Sequence, residues 1–384
     1  MISMLASLVN IPVFAANGDE TQTNETQVDG TSGVPLGGFG TGGVKFNAHR
    51  GTFAALTKAP ADAYDYSSLD AKFQLYTNRN DDVETVDTMR SVVTDGRSDD
   101  DAIWPMHYAN MGSTNDVQVN LKAFSPFDSE NSDNMSMPYA FFEMTLENTG
   151  SEAADASCAF QLTTGDTPTY VEGKGFNGSN WAIYADSDAQ DAVVTVGNDS
   201  GFNSTGELNN SISGRTNKVA VKVNLDPGET TAVKFVLAWY DNSEPDWHYY
   251  LNFADNPGYF AQMGLDNFDL LKANAEELVT NMRNSNLPDW FVNQIQNTLV
   301  NISNNSMYKK DGRVAYSEGE WTCFGTMDQM WLARQIITQL NPFFTWRELE
   351  YWSRTQRNDG QIHHDFNTPV EDKAARAELV AWND

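Results

Sequence analysis

Val219-Ala-Val-Lys-Val-Asn-Leu225, Asp226-Pro-Gly-Glu229 and Val233-Lys-Phe-Val-Leu-Ala-Trp239 decide how this chain is read. Val219, Val221, Val223 and Leu225 recur at every second residue, the repeat of a strand with one face turned to a core. Asp226-Pro-Gly-Glu229 has turn chemistry: proline presets φ, and glycine accepts a positive one. Val233, Phe235, Leu237 and Trp239 then line a return strand, so the pair reads as a hairpin. Upstream, Tyr139-Ala-Phe-Phe-Glu-Met-Thr-Leu146 alternates and is rich in β formers, and Glu147-Asn-Thr-Gly-Ser151 ends it. Such segments, separated by Gly, Asn and Asp clusters from about residue 33 to 245, predict a large β-sandwich. Gly173 to Gly214 reads as polar loop.

Near residue 260 the period changes. Phe268, Leu271, Ala275, Leu278 and Met282 fall at helical spacing, as do Phe291, Ile295, Leu299 and Ile302 just after Pro288. Thr326 with Gln329 reads as a capping box opening a helix from Met327 to Leu340, and Thr345 with Glu348 as the same device for the next helix. Strands followed by helices predict two domains, at 33–260 and 261–384. Ahead of them, Ile2 to Phe14 is mostly apolar, and Val13-Phe14-Ala15 resembles a small-residue cleavage site. Residues 1–16 therefore read as a signal peptide, although no Lys or Arg precedes the apolar run, and 17–32 as a polar linker. A secreted or cell-envelope protein is expected. No other segment is long and apolar enough to span a bilayer.

Acidic residues number 53 against 24 basic ones, a net charge of −29 that repels phosphate backbones and anionic lipid. Neutral sugars are not excluded, and the Trp, Tyr and Phe content supplies rings that can stack on them or simply fill a core. Cys158 and Cys323 make no metal spacing and predict no disulfide.

One loop concentrates polar groups: Tyr316-Ser-Glu-Gly-Glu-Trp-Thr-Cys-Phe-Gly-Thr-Met-Asp328, expected between helices. Glu318, Glu320 and Asp328 are candidates for sugar hydrolysis, which needs carboxylates on opposite sides of the anomeric carbon. Trp321 is a ring beside them. Asp328, in the first turn of its helix, would be held ionised by the peptide dipoles and accept from sugar hydroxyls. Solvated caps would look the same in sequence. The second segment is Asn358-Asp-Gly-Gln-Ile-His-His-Asp-Phe366. Adjacent His363 and His364 do not converge on one metal ion, so no metal is expected. His364 held by Asp365 and donating to a sugar hydroxyl, or simply anchoring a loop, are both open. No nucleophile elbow, phosphate loop or dinucleotide fingerprint occurs, and no cofactor is expected. Gly33-Val-Pro-Leu-Gly-Gly-Phe-Gly-Thr-Gly-Gly43 reads as a tight bend in the β region.

That glycine run resembles the opening motif of glycoside hydrolase family 116. Ala123-Phe-Ser-Pro-Phe127 with Glu130-Asn131-Ser132 and Pro138, Leu225-Asp-Pro-Gly-Glu229 with Val236-Leu-Ala-Trp239, and Leu287-Pro-Asp-Trp290 resemble later blocks in the family's order. The resemblance implies an N-terminal β-sandwich, a C-terminal (α/α)6 barrel, and retaining hydrolysis of β-linked sugars, most closely a β-glucosidase or glucosylceramidase activity. It also implies that Glu318 of Glu318-Gly319 is the nucleophile, with Glu320 its rival because the interval to Asp328 is one residue short. Asp328, His364 and Asp365 match sugar-binding positions. The family's acid/base matches no residue here, and the chain is expected to hold only the first helices of the barrel. The alternatives are a non-catalytic carbohydrate-binding surface protein and a helical-barrel phosphorylase.

Overall fold

A computed structural model describes residues 33–57, 66–317 and 324–354, with the backbone alone for 327–333. The expected signal peptide and linker lie outside these residues. Two antiparallel sheets face each other across the main core. One has five strands in the order Val193–Gly197, Thr216–Leu225, Ala154–Thr163, Ala71–Arg79 and Asp82–Val86. The other has eight: Thr169–Val171, Gly175–Asn177, Trp181–Ser187, Thr230–Trp239, Tyr139–Asn148, Val117–Phe124, Met106–Thr114 and Asp100–Ile103. Alternate residues of both meet in one core, Phe73, Phe160 and Val221 from the first sheet and Phe142, Val233 and Phe235 from the second.

The helices are α1 Ser132–Met135, α2 Phe202–Thr205, α3 Pro257–Asp266, α4 Phe268–Arg283, α5 Asp289–Thr298, α6 Asn301–Asn304, α7 Met327–Leu340 and α8 Pro342–Arg354. α3 starts where Asn256 accepts from the Tyr259 N–H and Pro257 takes a position needing no N–H. α3 and α4 cover the outer face of the eight-stranded sheet, where Phe124, Phe141 and Val236 pack with Phe260, Phe268 and Leu271. The eight-stranded sheet is thus a middle layer. Tyr139–Asn148 is accordingly buried on both faces over Tyr139 to Met144 and does not show the expected alternation.

The Asp226–Glu229 turn is not a hairpin. Val219 pairs with Phe160 in the five-stranded sheet, whereas Val233 pairs with Met144 in the eight-stranded one. The turn carries the chain between sheets, and both strands still send their apolar residues into the shared core. Gly173 to Gly214 is not loop throughout either: Trp181, Ile183 and Ala185 alternate inward on a strand beside Thr230–Trp239. In the helical part, α4 buries Phe268, Leu271, Ala275 and Val279. α5 departs from the expected stripe. Phe291 is exposed, Val292 and Gln296 are buried, Leu299 caps the helix, and Ile302 belongs to α6. Among the described residues no helix is long and apolar enough to cross a membrane.

Candidate functional site

Two short strands, Ser306–Tyr308 and Val314–Tyr316, form a hairpin between α6 and α7, so the polar loop leaves a strand rather than a helix as expected. Its ends are pinned. Ser317 bridges Phe324, the Gly325 N–H donates to the Tyr316 carbonyl at 2.7 Å, and the Ser317 N–H to the Asn305 carbonyl at 2.7 Å. Glu318, Glu320 and Trp321 lie outside the described residues, as do His364 and Asp365. Asp328 is placed by its backbone in the first turn of α7, the expected position. The described residues therefore bring no two of the candidate side chains together. They define the frame that carries them.

That frame is docked on the glycine run. Val34–Leu36 and Gly43–Asn47 are antiparallel neighbours, and the bend between them reaches across to the helical part. Gly40 has φ +71°, and a Cβ there would meet the Tyr308 backbone nitrogen at 2.5 Å, so only glycine allows this approach. Its N–H donates to Ser306 Oγ at 2.8 Å, and its carbonyl accepts from His248 Nδ1 at 2.9 Å. Ser303 Oγ donates to the Gly37 carbonyl, and Trp239 Nε1 to that of Thr41. Phe39 stacks on Phe344 with ring centres 3.8 Å apart and meets Tyr316 edge-on at 5.5 Å. Sequence reasoning identified the bend and missed what it touches.

Close to Tyr316, Arg334 of α7 and Glu348 of α8 form a buried ion pair. Nε donates to Oε2 at 2.5 Å and Nη2 to Oε1 at 2.9 Å. Glu348 is fully buried, and that burial raises its carboxyl above the usual range against the opposing pull of Arg334. Burial likewise pushes the Tyr316 phenol well up, with the charges of Glu348 and Arg334 acting on it. Both expected capping boxes fail here. Thr326 is the N-cap of α7 but makes no side-chain cap bond. Thr345 and Glu348 lie inside α8, whose start is held by Asn341 accepting from the Phe343 N–H. Asn341 also donates to the Asp128 carbonyl at 3.2 Å, tying α8 to the β domain. The available signal for Glu348 was its place on an apolar stripe, between Phe344 and Trp352 at i±4. Among the described residues no group of three metal-ligating side chains comes together.

These features define a large β-rich N-terminal domain with several sheets, followed by packed helices. Residues 33–196 match the family described as beta-glucosidase 2, glycosyl-hydrolase family 116 N-term. The match gives residues 33–196 as a family 116 N-terminal domain and covers under half of the chain. No curated protein matches the chain. Among solved structures it is similar to a heparinase III, the BT4657 gene product with methylated lysines, at 9% identity and a TM-score of 0.31, covering 56% of this chain and 37% of that one. It is also similar to a putative kojibiose phosphorylase from human microbiome, at 8% identity and a TM-score of 0.28, covering 70% and 35%. The chain thus spans little more than a third of the length of either structure.

Proposed function

We propose that this protein is a retaining glycoside hydrolase of β-linked sugars with a β-glucosidase-like preference. The observation that carries this reading is the family 116 N-terminal domain at residues 33–196, whose glycine run is seated against the hairpin leading into Glu318-Gly319. In this reading the helices from Pro257 onward are the opening of an (α/α)6 barrel, and residues 1–16 direct secretion.

Glu318 attacks the anomeric carbon as the leaving oxygen takes a proton from a separate acid. The glycosyl-enzyme ester is then hydrolysed by water with net retention, which asks for carboxyl groups about 5–5.5 Å apart. Asp328, Trp321, His364 and Asp365 contact the sugar. The acid is not among the residues this reading assigns. Carboxylates suffice for this chemistry, so the reading includes no cofactor and no metal.

The test is turnover of aryl β-glucosides by a protein that also carries the acid. Glu318→Gln should lower kcat on the order of 10⁴-fold or more, while Glu320→Gln should leave most of it. The reverse pattern transfers the role to Glu320. Binding of β-glucans with no turnover of any β-glycoside would replace the enzyme reading with that of a carbohydrate-binding protein.

A further inference from the structure

The helices cover the outer face of the eight-stranded sheet, whereas the outer face of the five-stranded sheet is partly covered by the segment around α2. Phe202 and Leu208 of that segment are buried with Tyr76, Ala159 and Ala220 of the strands. A Cβ at Gly206 would meet the Tyr76 ring at 2.6 Å, so the backbone lies directly on the sheet. The residues that follow the two apolar anchors, Asn203 and Asn209, are exposed.

An asparagine followed two residues later by serine or threonine is the acceptor pattern for an N-linked glycan, provided the middle residue is not proline. The pattern occurs seven times among the described residues, and the fold withdraws four of them. Asn134 is buried with its Nδ2 donating to Asp128 at 2.9 Å. Asn177 is half-buried and packs its amide against Gly258. Asn301 and Asn304 are half-buried in α6, and Asn304 accepts from the Tyr66 hydroxyl at 2.8 Å. The other three, Asn198, Asn203 and Asn209, are all exposed and all belong to the segment on the five-stranded sheet. Two of these have their amides engaged. Asn198 Nδ2 donates to the Ser213 carbonyl at 2.6 Å, and Asn209 Oδ1 accepts from the N–H of Ser211, the serine of its own triplet, at 3.1 Å. Asn203 makes no side-chain hydrogen bond among the described residues, and Thr205 completes its triplet from an exposed position.

We propose that Asn203 is an N-glycosylation site, filled by transfer from a polyprenyl-phosphate-linked oligosaccharide. A bond forms between Asn203 Nδ2 and the anomeric carbon of the first sugar. The bond from that carbon to the phosphate oxygen breaks, the amide gives up one proton, and the carrier leaves with its phosphate. The glycan stands on the face of the sandwich remote from α3 and α4, so it adds a hydrated cover without touching the helical layer. The proposal rests on the export part of the functional reading, because such transfer takes place on chains that cross a membrane, and is independent of the hydrolase part.

The test is made on the full-length protein recovered from its own cells, from envelope and medium. Peptides carrying Asn203 are sequenced by mass spectrometry with electron-transfer fragmentation. Wild type is compared with Thr205→Ala, which destroys the triplet and leaves the asparagine, and with Thr205→Ser, which keeps it. The wild type and Thr205→Ser should carry sugar on Asn203, and the intact mass of Thr205→Ala should be lower by that glycan, with an unchanged melting profile in the sandwich. Asn203→Gln alters one exposed side chain and carries the test if Thr205→Ala does not fold. A bare Asn203 in exported protein would overturn the proposal. A protein found only inside the cell would overturn the export reading instead. The same chain is then sent through a glycosylating secretory pathway behind a leader of proven function, where a bare Asn203 overturns the proposal and a glycosylated one supports it.

Discussion

His248 is among the most constrained side chains in the molecule. Its Nδ1–H donates to the Gly40 carbonyl, its ring lies 4.8 Å from that of Tyr250, and Nε2 has no partner among the described residues, the nearest carboxylate being Asp241 at 4.0 Å. Burial holds its pKa below the ordinary 6.5, with the Gly40 carbonyl and Asp241 pulling the other way. The unfolded chain therefore binds this proton more readily than the folded one. Its contribution is present in full above pH 6.5 and is lost as pH falls toward the folded value, with a slope of up to about 1.4 kcal/mol per pH unit. We expect the wild type to lose stability between pH 7 and 5 more steeply than His248→Asn, whose amide can still donate to Gly40. Parallel melting curves across that range would refute this. At this scale the sequence was legible where one residue type has one use, as with the bend at Gly40. It was misleading at Glu348, because a carboxylate three residues after a threonine looks the same on a cap and under a helix.

Among the elements, the α7 boundaries were readable from Thr326 and the apolar period that follows, even though the threonine does not cap. The stripe of α4 was readable for the same reason. Leu271, in the first turn, is fully buried with Phe124, Phe141 and Phe268 in the same cluster. Leu271→Ala should cost about 2–5 kcal/mol, measured as a lower urea midpoint with an unchanged slope. Partnering was not readable. Val219 to Leu225 and Val233 to Trp239 carry the pattern of a hairpin, but a period of two records which face is buried and not which strand lies alongside. The same limit explains Trp181–Ser187, whose inward residues are diluted in the sequence by the Gly and Asn of its flanking turns. The shift on α5 has another cause. Phe291 was counted with the core for its helical spacing with Ile295, Leu299 and Ile302, whereas Asn297 bonds to the backbone of Ala102 and Trp104 on the side where Val292 and Gln296 are buried.

At the scale of the whole molecule the net charge of −29 dominates. Much of the lysine is already committed, with Lys122, Lys234 and Lys272 bridging the middle sheet to α4 or spanning it. The remaining carboxylates repel one another over distances that about 0.1 M salt screens to roughly 10 Å. The melting temperature should therefore rise from low salt toward 1 M NaCl, and a flat or falling profile in differential scanning calorimetry would count against this account. The division into strands and then helices was legible in the sequence. The layering was not, because nothing in a strand's own residues says whether its second face meets water or a helix.

That second face has a further consequence. Because the middle sheet is shared, the sandwich keeps its own core on one face while the helices complete a second core on the other, and the helices cannot lift away without baring that face. Heating should give one cooperative transition, with calorimetric and van't Hoff enthalpies in agreement. A protein ending at residue 245 should not behave as an independent folding unit. Its uncovered phenylalanines would bind a hydrophobic dye and associate. A cut at the change of period would therefore leave the outer face of the middle sheet bare.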